Sequence, residues 1–409
     1  MFVIVLLLAS LHLINPTAQT ADTVPLEDVR ELARGNTDFA VELYGRVAGG
    51  MEGQNVFLSP FSVSSALAMA YAGAREETEE QMAEVLHFTL PQDRLHPAFG
   101  LLGEQLSTAE LAPSETGDPL ILNIANGLWV DSNFPLLQGY VGLVREHYDA
   151  EVRNMDFVGD PDGSRRIINE WASRKTRRRI QNLIPGGVID VDTRVVLTNA
   201  IYFKGSWQHP FPEEQTEPDD FHLPDGSEVE VPMMHLTESL PYTETAGCAA
   251  VELPYVGGNH SMIMLLPDGS PADFEKSLDT DTLRRIVERL NSYRVTLTMP
   301  RFEFSCGTRL AETLGAMGMS LPFSMRADFS GFTGQPDLCI SEVVHKALVK
   351  VDESGTEAAA ATAVVMEIVS MPPPELEVEM TLDRPFLFLI LDKSTLTVEF
   401  MGRVCDPSA

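Results

Sequence analysis

Hydrophobic positions recur with a helical period in the first quarter of the chain and with a strand period through most of the rest. Phe39, Ala40, Leu43, Tyr44 and Val47 fall on one helical face, which Asn36 or Thr37 is placed to cap. Ser59-Pro60 offers an N-cap and a proline at the first helical position, ahead of FSVSSALAMAYAGA. Thr78 and Gln81 have capping-box spacing before Met82, Val85 and Leu86. From Ile121 the pattern changes. VVLTNAIYFKGSW and SMIMLLP are apolar runs of the kind buried on both faces. RVTLTMPRFEF and LEVEMTLD alternate, the second placing Leu376, Val378, Met380 and Leu382 on one side. PFLFLILDKSTLTVEFMGRV reads as a hairpin turning at Asp392-Lys393-Ser394. One helical stretch, near Arg165 to Lys175, interrupts the strands. Helices followed by many strands, with no internal repeat and no long linker, predict an α+β fold.

Composition changes this picture in three places. The chain has 409 residues, which allows two domains or one unusually large one, and the lack of a linker favours one. Its net charge of −31 argues against generic attraction to nucleic acid or to an anionic membrane. At the N-terminus, Phe2 to Ile14 is apolar but too short to span a bilayer, and Thr17, Ala18 and Ala21 follow. Residues 1–21 are thus expected to be a signal peptide, lacking the usual basic residue before its core, and residues 22–409 a single secreted domain.

Cys248, Cys306, Cys339 and Cys405 are scattered, without metal-binding spacing. Secretion permits disulfides between them, and isolated buried thiols are equally compatible with a chain this large. No metal site is expected. Asn259-His260-Ser261 is a glycosylation sequon beside Gly257-Gly258, in an expected turn.

One segment fits neither period. VDESGTEAAAATAVVMEIVSMPPPE, residues 351–375, begins with glycine, threonine and alanines, turns β-branched, and stops on three prolines between two strand-like blocks. As a surface helix or linker it would have no evident purpose there.

Four ordered blocks carry a family likeness: NVFLSPFSVSSALAMAYAGA (55–74), LTNAIYFKGSW (197–207), VVHKALVKVDESGTEAAAATA (343–363) and RPFLFLILDKSTLTVEFMGRV (384–404). Together they resemble the serpins over nearly the whole mature chain. The resemblance implies three β-sheets, about nine helices and an exposed reactive-centre loop at about 353–375. It also implies a non-enzymatic mechanism. A target serine protease cleaves the loop, and before the covalent acyl complex hydrolyses, the loop inserts as a new strand of the large sheet.

The residues suit that motion. Alternate positions of a strand share a face, so Thr356, Ala358, Ala360 and Thr362 would point inward, and all are small. Gly355 gives freedom at the pivot, Glu357 takes the solvent-side parity, and Ala359 and Ala361 complete the small run after Glu353. Carrier serpins that do not inhibit, with bulky or proline-containing hinges, and cross-class inhibitors of papain-like cysteine proteases are the alternatives.

Counting seventeen residues from Glu353, as the family pattern implies, makes Val369-Ser370 the scissile bond, with Ile368-Val369 one residue away. No Lys or Arg lies between Lys350 and Arg384, so an elastase-like or chymotrypsin-like target is expected rather than a trypsin-like one. By motif match Ser59, Ser62, Asn199 and His345 form the polar cluster under the opening of the large sheet, and Arg301 pairs with Glu353 at its top, near Trp207. Arg174, Lys175, Arg177, Arg178 and Arg179 form a basic stretch that could take a sulfated glycan; no other cofactor is implied, and the protein is expected to be monomeric.

Overall fold

The computed structural model describes residues 24–107, 120–245, 247–356 and 376–409. The signal peptide, Glu357 to Ala361 and the Val369-Ser370 bond lie outside them.

The first helix, α1, spans Leu26–Gly49, so neither Asn36 nor Thr37 caps it. Asn36 is buried in mid-helix, where its Oδ1 accepts from the Ser64 hydroxyl at 2.5 Å, and Thr37 Oγ1 donates back to the Ala33 carbonyl. Tertiary contact and back-bonding have taken the groups that would otherwise cap. In contrast, α2 (Pro60–Tyr71) starts as expected: Ser59 Oγ accepts from the Ser62 amide, and Pro60 occupies the first position. The expected capping box is absent. Helix α3 runs Glu76–Val85, with Thr78 accepting from the Asp328 amide and Gln81 from the Leu321 amide. Its acidic first turn, Glu76, Glu77 and Glu79, favours the helix N-terminus by charge instead. After α4 (Gln92–Ser107) and α5 (Gln138–Tyr148), the interrupting helix, α6 (Pro161–Lys175), begins four residues before Arg165, where Asp160 accepts from the Gly163 amide.

A six-stranded sheet has the order β10 (Phe302–Arg309), β11 (Ile340–Asp352), β12 (Gly355–Thr356), β4 (Val195–Ser206), β2 (Ile121–Asp131), β3 (Glu151–Met155). Helix α2 packs beneath it, and α6 crosses its other face, with Trp171 meeting Trp129 edge-on at 5.1 Å. Covered on both sides, β4 is buried almost throughout, which is why its sequence does not alternate.

The remaining nine strands are joined by hydrogen bonds into a path of eight, with the ninth branching from it. β6 (Glu228–Thr245) is long enough to serve two sheets. Its first part pairs with β5 (Glu217–His222) and its middle with β9 (Asn291–Pro300), which in turn pairs with β13 (Glu377–Thr381). Its end pairs with β7 (Cys248–Pro254), continuing through β8 (His260–Pro267), β14 (Phe386–Asp392) and β15 (Thr397–Val404) to β1 (Val56–Leu58). With β6 shared, these and the six-stranded sheet make the three sheets expected of this α+β fold. Ten α-helical segments occur among the described residues, the last of only four.

The 386–404 block is the expected hairpin, β14 against β15. RVTLTMPRFEF, however, divides at Arg301 into β9 and β10, which belong to different sheets. Leu376, expected to share a buried side with Met380 and Leu382, lies before β13 and is 71% exposed.

Candidate functional site: the seam of the large sheet

β4 and β11 pair in parallel from Val195↔Ile340 to Ile201↔Ala347. Above that level they part, and β12 occupies the gap. Gly355 and Thr356 sit opposite Ser206 and Gly205 on one side and opposite Asp352 and Val351 on the other, antiparallel to both. The chain reaches this position by a tight turn after β11, held by the Ser354 amide on Asp352 Oδ1. Gly355 must be glycine here. A Cβ would stand 2.1 Å from the Gly205 carbonyl oxygen. Thr356 is buried, so the first residue of the expected inward set does face inward.

At the top of the seam, Trp207 grips the turn twice, its amide donating to the Ser354 carbonyl and its Nε1 to the Asp352 carbonyl at 3.0 Å. Its indole stacks on Tyr255 at 4.7 Å. Arg301 forms the expected ion pair with Glu353, whose carboxylate also accepts from Thr216 Oγ1 at 2.6 Å. Glu353 is nearly buried while Arg301 is half exposed. Burial pushes the Glu353 carboxyl up, but the bonds from Arg301 and Thr216 prevail and hold it below the ordinary value.

Lower in the seam, the four expected polar residues are joined. His345 Nδ1 lies 2.6 Å from Asn199 Oδ1, and His345 Nε2 accepts from the Ser59 amide at 3.1 Å. Ser59 Oγ donates to the Glu399 carbonyl, and Asn199 Nδ2 reaches both the Ser62 carbonyl and Asn126 Oδ1. Asn126 in turn donates to Ser65 Oγ. Asn126 and Ser65 escaped sequence reasoning, because their spacing gives no hint that β2 and α2 meet here. Burial pushes the His345 ring down to about 3. This is no hydrolytic arrangement: the Ser59 hydroxyl is spent on a carbonyl, and the ring is oriented by an amide rather than a carboxylate.

The basic stretch is exposed but partly engaged. Arg174 pairs with Glu170 at 2.9 Å, and the Arg177 guanidinium lies 5.9 Å over the Tyr202 ring. Arg178 holds a left-handed backbone, φ 66°, as does Arg177, φ 49°. Arg179 and Lys175 are at the surface. Asn259 is exposed in a turn after Gly257 and Gly258, while Ser261 of its sequon is buried against Glu252. The four cysteines are free thiols, three of them buried. Among the described residues no cluster of three or more His, Cys, Asp or Glu is placed to hold a metal.

The family model described as serpin (serine protease inhibitor) matches residues 34–407. The chain belongs to the serpin family. Among serpins it is 39% identical over 371 residues to an uncharacterized serpin-like protein of Thermococcus kodakarensis, covering 90% of this chain and 84% of that one. It is 36% identical to the leukocyte elastase inhibitor of Bos taurus, over 93% of this chain and all of that one. Human thyroxine-binding globulin, solved with thyroxine, superposes with a TM-score of 0.80 at 30% identity, covering 93% of this chain and 99% of that one. This serpin has no helix among its described residues long and apolar enough to cross a membrane.

Proposed function

We propose that this serpin is a secreted, monomeric inhibitor of elastase-like or chymotrypsin-like serine proteases, acting as a suicide substrate cut at Val369-Ser370. One observation carries the reading: the hinge already occupies the head of the seam, at Gly355 and Thr356. Extending that register downward puts Ala358 between Phe203 and Val349, and Ala360 between Ile201 and Ala347. It brings Thr362 between Asn199 and His345, the two residues whose hydrogen bond closes the seam. A hydroxyl arriving there supplies a donor and an acceptor for the bond it displaces. The positions reached by inward residues are thus served by alanine where the neighbours are apolar and by threonine where they are polar.

The kinship with a bovine leukocyte elastase inhibitor and the aliphatic Val369 favour an elastase-like pocket. Incubation with pancreatic elastase tests the reading. A band that survives hot detergent, together with a released peptide beginning at Ser370, is the expected result. Clean cleavage without a band would overturn inhibition of this enzyme and favour a carrier. Thr362→Arg should turn the wild-type inhibitor into a plain substrate. The proposals that depend on it less are checked separately: secretion by the N-terminus of the exported protein, monomer state by sedimentation, a glycan at Asn259 by mass, and the sulfated-glycan site by retention on heparin at low salt.

A further inference from the structure

We infer that Tyr255 is a positioning residue which sets the register of loop insertion through its hydroxyl contact with Thr356. The inference rests on the trapping reading above and deepens it.

A two-residue strand is a weak determinant of register, and a slip of one residue would reverse every side chain that follows. With such a slip, Glu357, Ala359 and Ala361 would point into the core, and Glu357 would bring a buried, unpaired carboxylate. Something at the head of the seam has to distinguish Thr356 from its neighbours. The Tyr255 hydroxyl lies 2.7 Å from Thr356 Oγ1, and both residues are buried. Gly355 offers no side chain to that hydroxyl, so a shifted hinge would leave the phenol without this partner.

The ring is well placed to act as a fixed gauge. It stacks on Trp207 within 15° of parallel and meets Phe203 edge-on at 5.0 Å. Its own amide donates to the His260 carbonyl, tying it to the start of β8. On the seam side it fills the space below Gly205, where a Cβ would come within 2.7 Å of the ring. Gly205 is also the residue opposite Thr356. The same ring therefore determines how closely β12 approaches β4 and which hinge residue is met by a polar group. Trp207 fixes the turn that precedes the hinge, while Tyr255 fixes the first inserted side chain.

Tyr255→Phe keeps the ring and removes the hydroxyl, and the full-length protein with pancreatic elastase is the test system. An orphaned buried hydroxyl is worth about a fivefold change or more in an equilibrium. The number of inhibitor molecules cleaved per protease trapped should rise by about that factor, with the initial cleavage rate unchanged. Thr356→Val should produce a similar rise, and the double variant no more than the larger single effect, because both act through one bond. A purely structural role for Tyr255 would make the effects multiply. An unchanged partition in Tyr255→Phe, or multiplying effects, would overturn the inference. If the wild type traps no elastase, the trapping reading fails on its own, and hydrogen exchange decides the register claim. Faster exchange of the Gly355 and Thr356 amides in Tyr255→Phe then supports it; unchanged exchange refutes it.

Discussion

His345 Nδ1 and Asn199 Oδ1 stand 2.6 Å apart across β11 and β4, and the opposite nitrogen of the same ring accepts the Ser59 amide proton. A ring that accepts at Nε2 carries its hydrogen on Nδ1, so the imidazole that closes the seam is neutral.

That state has a pH signature. The folded ring titrates at about 3, against an ordinary value of 6.5, so between these values the unfolded chain takes a proton that the fold refuses. The contribution of His345 is fully present above 6.5 and is lost as pH falls towards 3. The slope is about 1.4 kcal/mol per pH unit, or roughly 2 kcal/mol between neutrality and about pH 5. Urea midpoints at the two pH values should differ accordingly, and His345→Gln should remove that part of the difference.

Arg301→Ala should loosen the hinge. Glu353 would keep Thr216 as a partner but lose its cation while remaining largely buried. A charge-assisted bond of this kind is worth about 1.5–3 kcal/mol. The pair acts only while Glu353 is ionised: its carboxyl lies below the ordinary 4.5, so the contribution is present above 4.5 and lost as pH falls through the lowered value. Trapping activity of the variant should decay faster on warming at neutral pH, with no difference from wild type in strong acid.

Gly355→Ala should obstruct the seam at its first step. The added carbon would overlap the Gly205 carbonyl oxygen, and overpacking of this kind costs about 1–3 kcal/mol. Gly355 already lies in the seam of the intact molecule, so the intact variant should melt below the intact wild type, and equal midpoints would refute the obstruction.

Arg178→Gly should stabilise the intact protein. Its left-handed backbone costs an L-residue about 1 kcal/mol, part of which glycine returns to the unfolded chain as entropy. A net gain of about 0.5 kcal/mol, or a rise of roughly 0.5–1 °C in the melting midpoint for a chain of this size, is expected.

What the sequence made legible was what local chemistry decides. Ser59-Pro60 caps α2 because both residues act on their own helix, and the 386–404 hairpin forms because its turn and its alternation agree. The alternate set that starts at Thr356 could be counted without any structure, and its small side chains marked it as the inward one. Asn36, Thr78 and Gln81 misled for the opposite reason: each has a local use in capping, but Ser64, Asp328 and Leu321, all distant in sequence, claim them first. The Asn199, His345 and Ser59 grouping came from family likeness, since residues so far apart share no local pattern. Asn126, Ser65, Thr216 and Tyr255 had no signal at all, because their roles exist only once sheets and helices are stacked.

The topology of the large sheet also bears on where it breaks. Its joins β10–β11 and β2–β4 are antiparallel, and of its two parallel joins β2–β3 lies at the edge, whereas β4 and β11 meet in the middle of the sheet with slanted and slightly weaker bonding. A lateral pull on this sheet therefore has a built-in fault line between those two strands. A newcomer that fills it exchanges one weaker ladder for two stronger ones, so the fracture plane of the resting molecule would become the best-bonded part of the spent one.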